Sequence, residues 1–151
     1  MMKAIKMLLR ERTLLDVYYS NGIVKRFDTK SLEARYPQFK ALKNRSLFEE
    51  AKLLGWSTIY WSDVLDLDTE LVYEEGIDVS DEYDDIEAAV VGFLIKEKRL
   101  ENNLSQEELA NKVGIDQSDL SKIERGQLNP SIKMVNRIAK GLDSNLSISL
   151  N

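Results

Sequence analysis

The side chains best suited to chemistry lie in one short polar run, residues 116–126, which reads DQSDLSKIERG. In a helix, one face of this run would carry hydrogen-bonding groups from Gln117, Ser118, Ser121, Lys122 and Arg125. Such groups suit the edges of DNA bases, because Gln pairs with adenine, Lys with guanine and Ser with either. The alternative is an ordinary solvated face, although such a face more often carries Glu and Lys four residues apart.

Two helices must position this run, and both have sequence signals at their ends. Asp116 is predicted to cap the second helix and Gly126 to end it. The first helix begins at a capping box formed by Ser105 and Glu108, and Gly114 follows it as a C′ residue with positive φ. Two helices joined by a tight glycine turn are the layout of a helix-turn-helix, whose second helix lies in the major groove.

Flanking segments predict the packing around this pair. Apolar stripes at helical spacing comprise Ile86, Val90, Phe93 and Leu94 before the pair, and Ile132, Val135, Ile138, Ala139 and Leu142 after it. These stripes predict an all-helical unit of about four helices over residues 86–143, with Pro130 at the start of the last one. Residues 146–150 alternate apolar and polar, which predicts a short strand. That strand would either pair with a second copy or pack on its own domain.

Together these segments resemble the phage-repressor/Cro-like helix-turn-helix family from about residue 93 to residue 142. The matching elements are RLExxLSQEELA, VGIDQSDLSKIERG, NPSI and RIAKGL, without gaps in their spacing. One departure is Gly141, where an alanine is usual in the family. A glycine inside a helix is expected to weaken the last turn by about 1 kcal/mol.

The resemblance implies a role for particular side chains. It implies a phosphate contact for Gln106, base contacts for Gln117, Ser118, Ser121 and Lys122, and contacts with the far DNA backbone for Arg125 and Asn129. It also implies an ion pair between Arg99 and Glu124 that ties the first helix to the end of the recognition helix. That pair would be architectural, so its loss should reduce stability more than specificity.

Composition narrows the class of protein. The chain has 151 residues, 43% of them hydrophobic and 31% charged, which fits one or two small globular domains. It has no cysteine and no histidine, which excludes disulfides and thiolate metal sites and removes the commonest general base. We find no phosphate loop, nucleophile motif, signal peptide or membrane-length apolar run. We therefore expect a cytoplasmic protein that is not an enzyme, carries no cofactor and contacts no membrane.

The net charge of −5 is unevenly distributed along the chain. Residues 53–87 hold 12 carboxylates and no Lys or Arg, residues 1–52 carry a net charge of +6, and residues 88–151 a net charge of about +1. Local placement of charge determines a DNA contact, whereas net charge determines non-specific attraction. We therefore expect modest, salt-sensitive affinity for one protomer, and a homodimer that reads two half-sites about 34–36 Å apart.

The first 76 residues predict a small α+β domain. A strand at residues 4–9 precedes a hairpin around Asn21–Gly22, which favours a type I′ turn. Residues 31–54 are predicted to be helical in short pieces broken at Tyr36–Pro37, residues 57–61 to be a strand, and residues 71–73 a short helix or turn. The aromatic residues of this part are expected to form core rather than a ligand cage: Trp56, Tyr60, Trp61 and Tyr73.

This part is also similar to a small uncharacterised bacterial α+β family, often linked to helix-turn-helix or toxin–antitoxin proteins. The similarity lies in the hairpin NGIV, in Leu47–Phe48 and in residues 59–73, and it implies no catalytic role. Asp66, Asp68 and Glu70 have the start of a calcium-loop spacing, but its glycine and terminal glutamate are missing, so no metal site is expected. Residues 77–85 are acidic and rich in turn formers, which predicts an interdomain linker.

The sequence therefore predicts an α+β protein: a small N-terminal α+β domain, then a helix-turn-helix domain over residues 86–151 with a short C-terminal strand. Its expected function is that of a sequence-specific, repressor-like transcriptional regulator. One form of this hypothesis is the antitoxin of a toxin–antitoxin pair, in which the N-terminal domain or the acidic stretch 63–87 covers a basic toxin surface. The alternative is a protein-interaction module whose helix-turn-helix no longer reads DNA.

Overall fold

The chain divides into two compact units, with the boundary between Ile86 and Glu87. The computed structural model describes residues 2–151. The first unit contains two sheets and short helices, and the second is helical, so the predicted α+β class is confirmed. Within residues 2–151, no helix combines the length and the apolar character needed to cross a bilayer.

The first unit begins with an antiparallel meander of β1 (Ala4–Leu9), β2 (Leu14–Tyr19) and β3 (Val24–Asp28). The predicted hairpin is present, but its turn is not type I′, because only Gly22 has positive φ (83°). Instead the Asn21 side chain accepts a hydrogen bond from the backbone N–H of Ile23.

Short helical pieces then lead into a second sheet. Two 3-10 helices come first, at Thr29–Leu32 and Pro37–Lys43. The short helix α1 (Arg45–Phe48) follows, and then the strands β4 (Lys52–Leu54) and β5 (Thr58–Ser62). The helical prediction for residues 31–54 therefore fails at its end, where β4 pairs with β5. The second sheet is completed by β6 (Leu65–Asp68), and Asp68 caps α2 (Thr69–Glu75) by accepting from the N–H of Glu70 at 2.8 Å.

The segment predicted to be a linker, residues 77–85, is instead part of the first unit. Its strand β7 (Ile77–Asp78) pairs with β3 and completes a sheet of order β1-β2-β3-β7. Carboxylates of this segment pair with side chains of the first three strands, so the acidic composition does not indicate a linker here. Asp85 accepts hydrogen bonds from Tyr18 (2.7 Å) and Lys6 (3.0 Å), and Glu82 pairs with Arg26 at 2.8 Å.

The core of the first unit includes fewer of the predicted aromatic residues than expected. Trp61 is buried and donates its indole N–H to the carbonyl of Phe48 at 3.1 Å, as a core tryptophan should. Trp56, however, is 36% exposed, and Tyr60 and Tyr73 are half-buried. Phe48 is fully buried, and Tyr19, which the sequence did not single out, is fully buried as well.

A buried carboxylate organises the polar side of the first sheet. Asp16 is fully buried and accepts two hydrogen bonds from the guanidinium of Arg26, both at 2.9 Å, and one from the hydroxyl of Tyr83. Since an unpaired buried charge is strongly destabilising, these partners are needed for the fold. Two of the groups involved, Tyr83 and Glu82, come from the segment after β7, so the network also fixes that segment.

We expect Asp85→Asn to show the pH dependence of the contacts that Asp85 makes with Tyr18 and Lys6. Burial raises the pKa of Asp85, but hydrogen bonds from Tyr18 and Lys6 outweigh that effect and lower it below its usual value. A carboxyl with a lowered folded-state pKa stabilises the fold above its unfolded pKa and loses that contribution as pH falls. Asp85→Asn should therefore lower the free energy of unfolding at pH 7, and its difference from the native chain should shrink below about pH 4. Denaturant titrations across pH measure this, with the exposed neighbour Asp84→Asn as control.

The second unit has four helices: α3 (Ile86–Glu101), α4 (Gln106–Val113), α5 (Gln117–Glu124) and α6 (Ile132–Gly141). Its core comprises Ile95, Leu109, Ala110, Val113, Leu120, Ile123, Ile138 and Leu142. Of the predicted stripes only Ile138 and Leu142 belong to this core, and two stripe residues are exposed, Leu94 at 54% and Ile132 at 67%. The buried apolar residues of α3 are Ile86, Ala88, Ala89 and Ile95, so two alanines share the inward face with two isoleucines.

The predicted C-terminal strand is absent from the described chain. Residues 144–151 have no regular secondary structure, and Ile148 and Leu150 are 62% and 97% exposed. Because an alternating apolar pattern forms a strand only when another strand pairs with it, the pattern alone was insufficient here.

Candidate nucleic-acid interface

The first helix of the central pair has both predicted end structures. At its start, the Ser105 hydroxyl accepts from the N–H of Glu108 (3.0 Å), and the Glu108 carboxylate accepts from the N–H of Ser105 (3.2 Å). At its end, Gly114 has φ +82° and donates its N–H to the carbonyl of Ala110 at 2.8 Å. This left-handed residue turns the chain sharply, so that α5 follows α4 after two further residues.

The second helix begins at Gln117 and ends at Glu124. Asp116 precedes it as N-cap, but its side chain makes no capping hydrogen bond, contrary to the sequence prediction. Gly126 follows the helix with φ +69°, so the chain leaves α5 at the predicted glycine.

Most of the side chains predicted to contact DNA from α5 are exposed and lie outside the core. Gln117, Ser118, Lys122 and Arg125 are exposed, and Ser121 is half-buried. The opposite side of α5 is anchored, since Leu120 and Ile123 are 0% and 2% exposed. Arg125 also donates from Nε to the carbonyl of Ser121 at 3.2 Å. A short helix with a buried apolar side and an outward polar side is thus presented to solvent.

The remaining predicted DNA contacts lie at the edges of this face. Gln106 is the first residue of α4 and donates from Nε2 to Oε1 of Glu124 at 3.1 Å. Asn129 is exposed in the loop before α6, whose N-cap is Ser131. The roles of these side chains toward DNA remain predictions.

A buried ion pair holds the end of α5. Arg99 donates from Nε to Glu124 Oε2 at 2.7 Å and from Nη2 to Glu124 Oε1 at 2.9 Å. Its Nη1 donates to the carbonyl of Leu104 at 2.7 Å, which fixes the loop before α4. The hydrogen bond to Glu124 raises the pKa of the Arg99 guanidinium and outweighs the opposing effect of burial. One side chain therefore positions both helices of the pair.

Glycine is needed where α3 crosses the end of α5, and sequence reasoning missed this contact. A Cβ on Gly92 would lie 2.1 Å from the carbonyl oxygen of Ile123, and one on Gly126 would lie 2.9 Å from Cα of Ala89. The two backbones therefore touch without intervening side chains. The only available signal was an isolated glycine inside the helical pattern of residues 86–101, which can mark a packing requirement.

Gly141 has a similar explanation. A Cβ there would lie 2.6 Å from Cγ2 of Val113, so the glycine permits α6 to approach α4 closely. The departure from the family pattern thus has a local packing reason in this chain.

The charge around the interface is mixed. Lys122 and Arg125 are exposed on α5, but so are Asp116 and Asp119 near its start. Carboxylates stabilise the start of a helix, yet they repel a phosphate backbone. Within residues 2–151 no group of three or more metal-ligating side chains comes together, and Asp68 caps α2 by accepting from the N–H of Glu70.

Comparison with known proteins agrees with this geometry. Residues 95–148 match the family described as Helix-turn-helix. A transcriptional regulator of this type from Methanothermobacter thermautotrophicus is 43% identical over 49 residues, which are 32% of this chain and 71% of that protein. The chain belongs to the phage-repressor/Cro-like helix-turn-helix family.

Two further proteins are similar over a little more than a third of the chain. The ImmF control region 10 kDa protein of Bacillus phage phi105 is 41% identical over 58 residues, covering 38% of this chain. This chain spans only 64% of the length of that protein. Among solved structures, the restriction-modification controller protein C.Esp1396I, a tetramer in complex with its natural 35 base-pair operator, is 44% identical. That likeness covers 36% of this chain and 72% of the controller protein, with a TM-score of 0.36.

Replacing Arg99 with methionine should destabilise the second unit by about 3–5 kcal/mol, because Glu124 would remain buried without its cation. The double variant Arg99→Met/Glu124→Leu should recover much of that loss, since it removes both charges. Lys98→Met is the control: its exposed pair with Glu101 contributes at most about 1 kcal/mol. Urea unfolding of the three variants tests this, and equal losses for Arg99→Met and Lys98→Met would contradict it.

Proposed function

We propose that this protein is a sequence-specific DNA-binding transcriptional regulator of the repressor type, in which α5 enters the major groove. The observation that supports the proposal is the contrast between the two sides of α5. Its inner side and its end are fixed by Leu120, Ile123 and the Arg99–Glu124 pair, while its outer side carries exposed donors. Rigid support of this kind suits a surface that must match base edges within a few tenths of an ångström.

In this proposal the side chains divide into two groups. Gln117, Ser118, Ser121 and Lys122 read base edges, and Arg125, Asn129 and Gln106 contact phosphates. Gln106 can serve both the fold and the DNA, because its amide has two N–H donors and Glu124 accepts only one. Its second donor would be directed to a phosphate.

Two variants should separate base reading from phosphate contact. On DNA selected from a random pool, Gln117→Ala should lose about 1–3 kcal/mol of discrimination at one base pair, with its salt dependence unchanged. Arg125→Ala should weaken binding to all sequences and reduce the slope of log K against log salt by about 1. Fluorescence anisotropy at several salt concentrations measures both, with Lys52→Ala, an exposed lysine of the first unit, as charge-matched control.

The same experiment tests the competing function. A protein-interaction module that no longer reads DNA would select no sequence from the pool. Its weak DNA affinity would be unchanged by Gln117→Ala and would respond equally to Arg125→Ala and Lys52→Ala. Either result would refute the regulator.

We also propose that the regulator acts as a homodimer. The eight residues of α5 span only about 12 Å, so one copy can read only a few base pairs. Two copies on half-sites about 34–36 Å apart would supply the missing specificity. The second unit offers an apolar groove of about 490 Å³ between α3, α6 and the tail, in which Leu94 is 54% exposed. A second copy would cover this groove.

Leu94→Lys should therefore convert the dimer to a monomer and weaken operator binding without unfolding the chain, because Leu94 is exposed. Leu100→Lys is the matched control, since Leu100 lies on the same helix, is also 54% exposed and does not line the groove. Sedimentation equilibrium measures the change. A native chain that stays monomeric on its operator would contradict the dimer and leave the DNA-reading role standing.

An antitoxin role would add a protein partner at the acidic residues 63–87. Several carboxylates of that stretch already act within the first unit: Asp68 caps α2, Glu75 pairs with Arg35, and Glu82 pairs with Arg26. The acidic stretch therefore gives this form of the hypothesis no support, and the function proposed is that of a regulator.

A further inference from the structure

The first unit contains a cavity of about 480 Å³ beside the start of α2. It lies between the turn that joins β4 to β5 and the first two turns of α2. Trp56 and Tyr73 form its aromatic walls, and Asp68, Glu70 and Glu74 supply carboxylates. Its volume falls within the range of about 300–1,000 Å³ that is usual for small-molecule sites.

The charge and ring chemistry of this lining favour a cation. Three carboxylates line the cavity, and none of its described lining residues is a lysine or an arginine. Tryptophan and tyrosine rings attract cations at their faces, with tryptophan the stronger. Trp56 is also the aromatic residue expected in the core that the structure leaves 36% exposed. Because Trp56 is exposed at an acidic cavity, its ring can contact a ligand there rather than only pack against the core.

Two lysines of the chain lie close to the Trp56 and Tyr73 rings. Lys3 places its Nζ 5.7 Å from the centre of the Trp56 ring, and Lys25 places its Nζ 5.1 Å from the centre of the Tyr73 ring. Two separate lysines thus lie at cation–π distance from the two walls. These contacts are independent of the carboxylates and show that both rings accept a cation nearby, so a ligand cation would compete with Lys3 and Lys25.

The backbone of Trp56 and the side chain of Tyr73 are held in place before any ligand arrives. The carbonyl of Trp56 accepts from the N–H of Ala4 (3.0 Å) and from the hydroxyl of Thr69 (3.1 Å). The Tyr73 ring packs edge-on against Tyr19 with centroids 4.9 Å apart, and its hydroxyl accepts from Asn21 at 3.0 Å. A preformed site loses little affinity to ordering, so even a small ligand can bind measurably.

We propose that this cavity binds a small organic cation, a free molecule that carries an ammonium or guanidinium group. The cationic group would lie against Trp56 and Tyr73, and Glu70 and Glu74 would balance its charge. A metal ion does not fit the site, because the carboxylates do not come together as a metal-ligating group within residues 2–151. The proposal concerns the first unit alone and goes beyond DNA reading, so it would stand or fall independently of the regulator function.

Choline, agmatine and spermidine are suitable probes, and 3,3-dimethyl-1-butanol is the uncharged analogue of choline. The measurement is the ¹H–¹⁵N spectrum of the full chain, followed at the two tryptophan indole N–H signals. Trp61 is the internal control, since its indole is buried and donates to the carbonyl of Phe48. At least one cation should shift the Trp56 signal with a Kd of about 1 mM or tighter, and the Trp61 signal should not move.

Variants then test the two sources of attraction. Trp56→Leu and the double variant Glu70→Gln/Glu74→Gln should each weaken binding about tenfold, the former being followed at the backbone N–H of Tyr73. Lys3→Gln should strengthen binding, because it removes a positive charge 5.7 Å from the centre of the Trp56 ring. Glu50→Gln, an exposed glutamate that does not line the cavity, is the charge-matched control and should leave the Kd unchanged.

Three results would overturn the proposal. The first is the absence of a saturable shift at Trp56 with any of the cations. The second is an equal shift with choline and its uncharged analogue, which would indicate a merely apolar crevice. The third is equal weakening by Glu50→Gln and by the double glutamate variant, which would indicate non-specific attraction to an acidic surface. An unchanged Trp61 signal in each variant verifies that the first unit remains folded.

Discussion

The buried pair of Arg99 and Glu124 is the interaction on which the outward presentation of α5 depends. It joins the last turn of α3, the loop before α4 and the final residue of α5 through three charge-assisted hydrogen bonds from one guanidinium. The planar guanidinium of arginine has five N–H donors, so it can bind a carboxylate and a carbonyl at the same time. The compact ammonium group of a lysine would not be equivalent. Gln106 adds a further hydrogen bond to the same carboxylate. The side proposed to read DNA is thus positioned by groups that lie behind it.

Charge is used differently in the two units. In the first, the acidic stretch that follows β5 neutralises basic residues from the strands and turns before it, as in the pairs Arg26–Glu82, Arg35–Glu75 and Lys6–Asp85. In the second, nine Lys and Arg balance nine Asp and Glu, and exposed cations stand next to exposed acids on α5. The net charge of −5 therefore belongs to the first unit, which is why it does not exclude a DNA-binding function of the second.

Local signals in the sequence predicted the helix-turn-helix closely, because its caps and glycine turn depend on neighbouring residues. Ser105, Glu108 and Gly114 act as expected, and the pairing of Arg99 with Glu124 followed from the family resemblance. The first unit was predicted less well. Its strand β7 depends on β3, a partner distant in sequence that no local pattern specifies. The short strand β4 forms only by pairing with the neighbouring β5 across the turn at residues 55–57.

The outward side chains of the candidate site were also predictable, whereas the surfaces that seat the helix were not. The need for glycine at position 92 becomes visible only when Ile123 is placed against it. Likewise, Trp56 was expected in the core because tryptophan usually is, and only the folded chain shows it at the edge of a cavity.

The glycine contact between α3 and the end of α5 has a consequence for how this protein can diverge. Because backbone meets backbone at Gly92 and Gly126, the seating of α5 does not depend on the identity of its solvent-facing residues. Positions 117, 118 and 122 can therefore be exchanged as a set while the scaffold stays constant. Descendants of one ancestral gene could in this way acquire new targets through a handful of codon changes, with little loss of thermal tolerance.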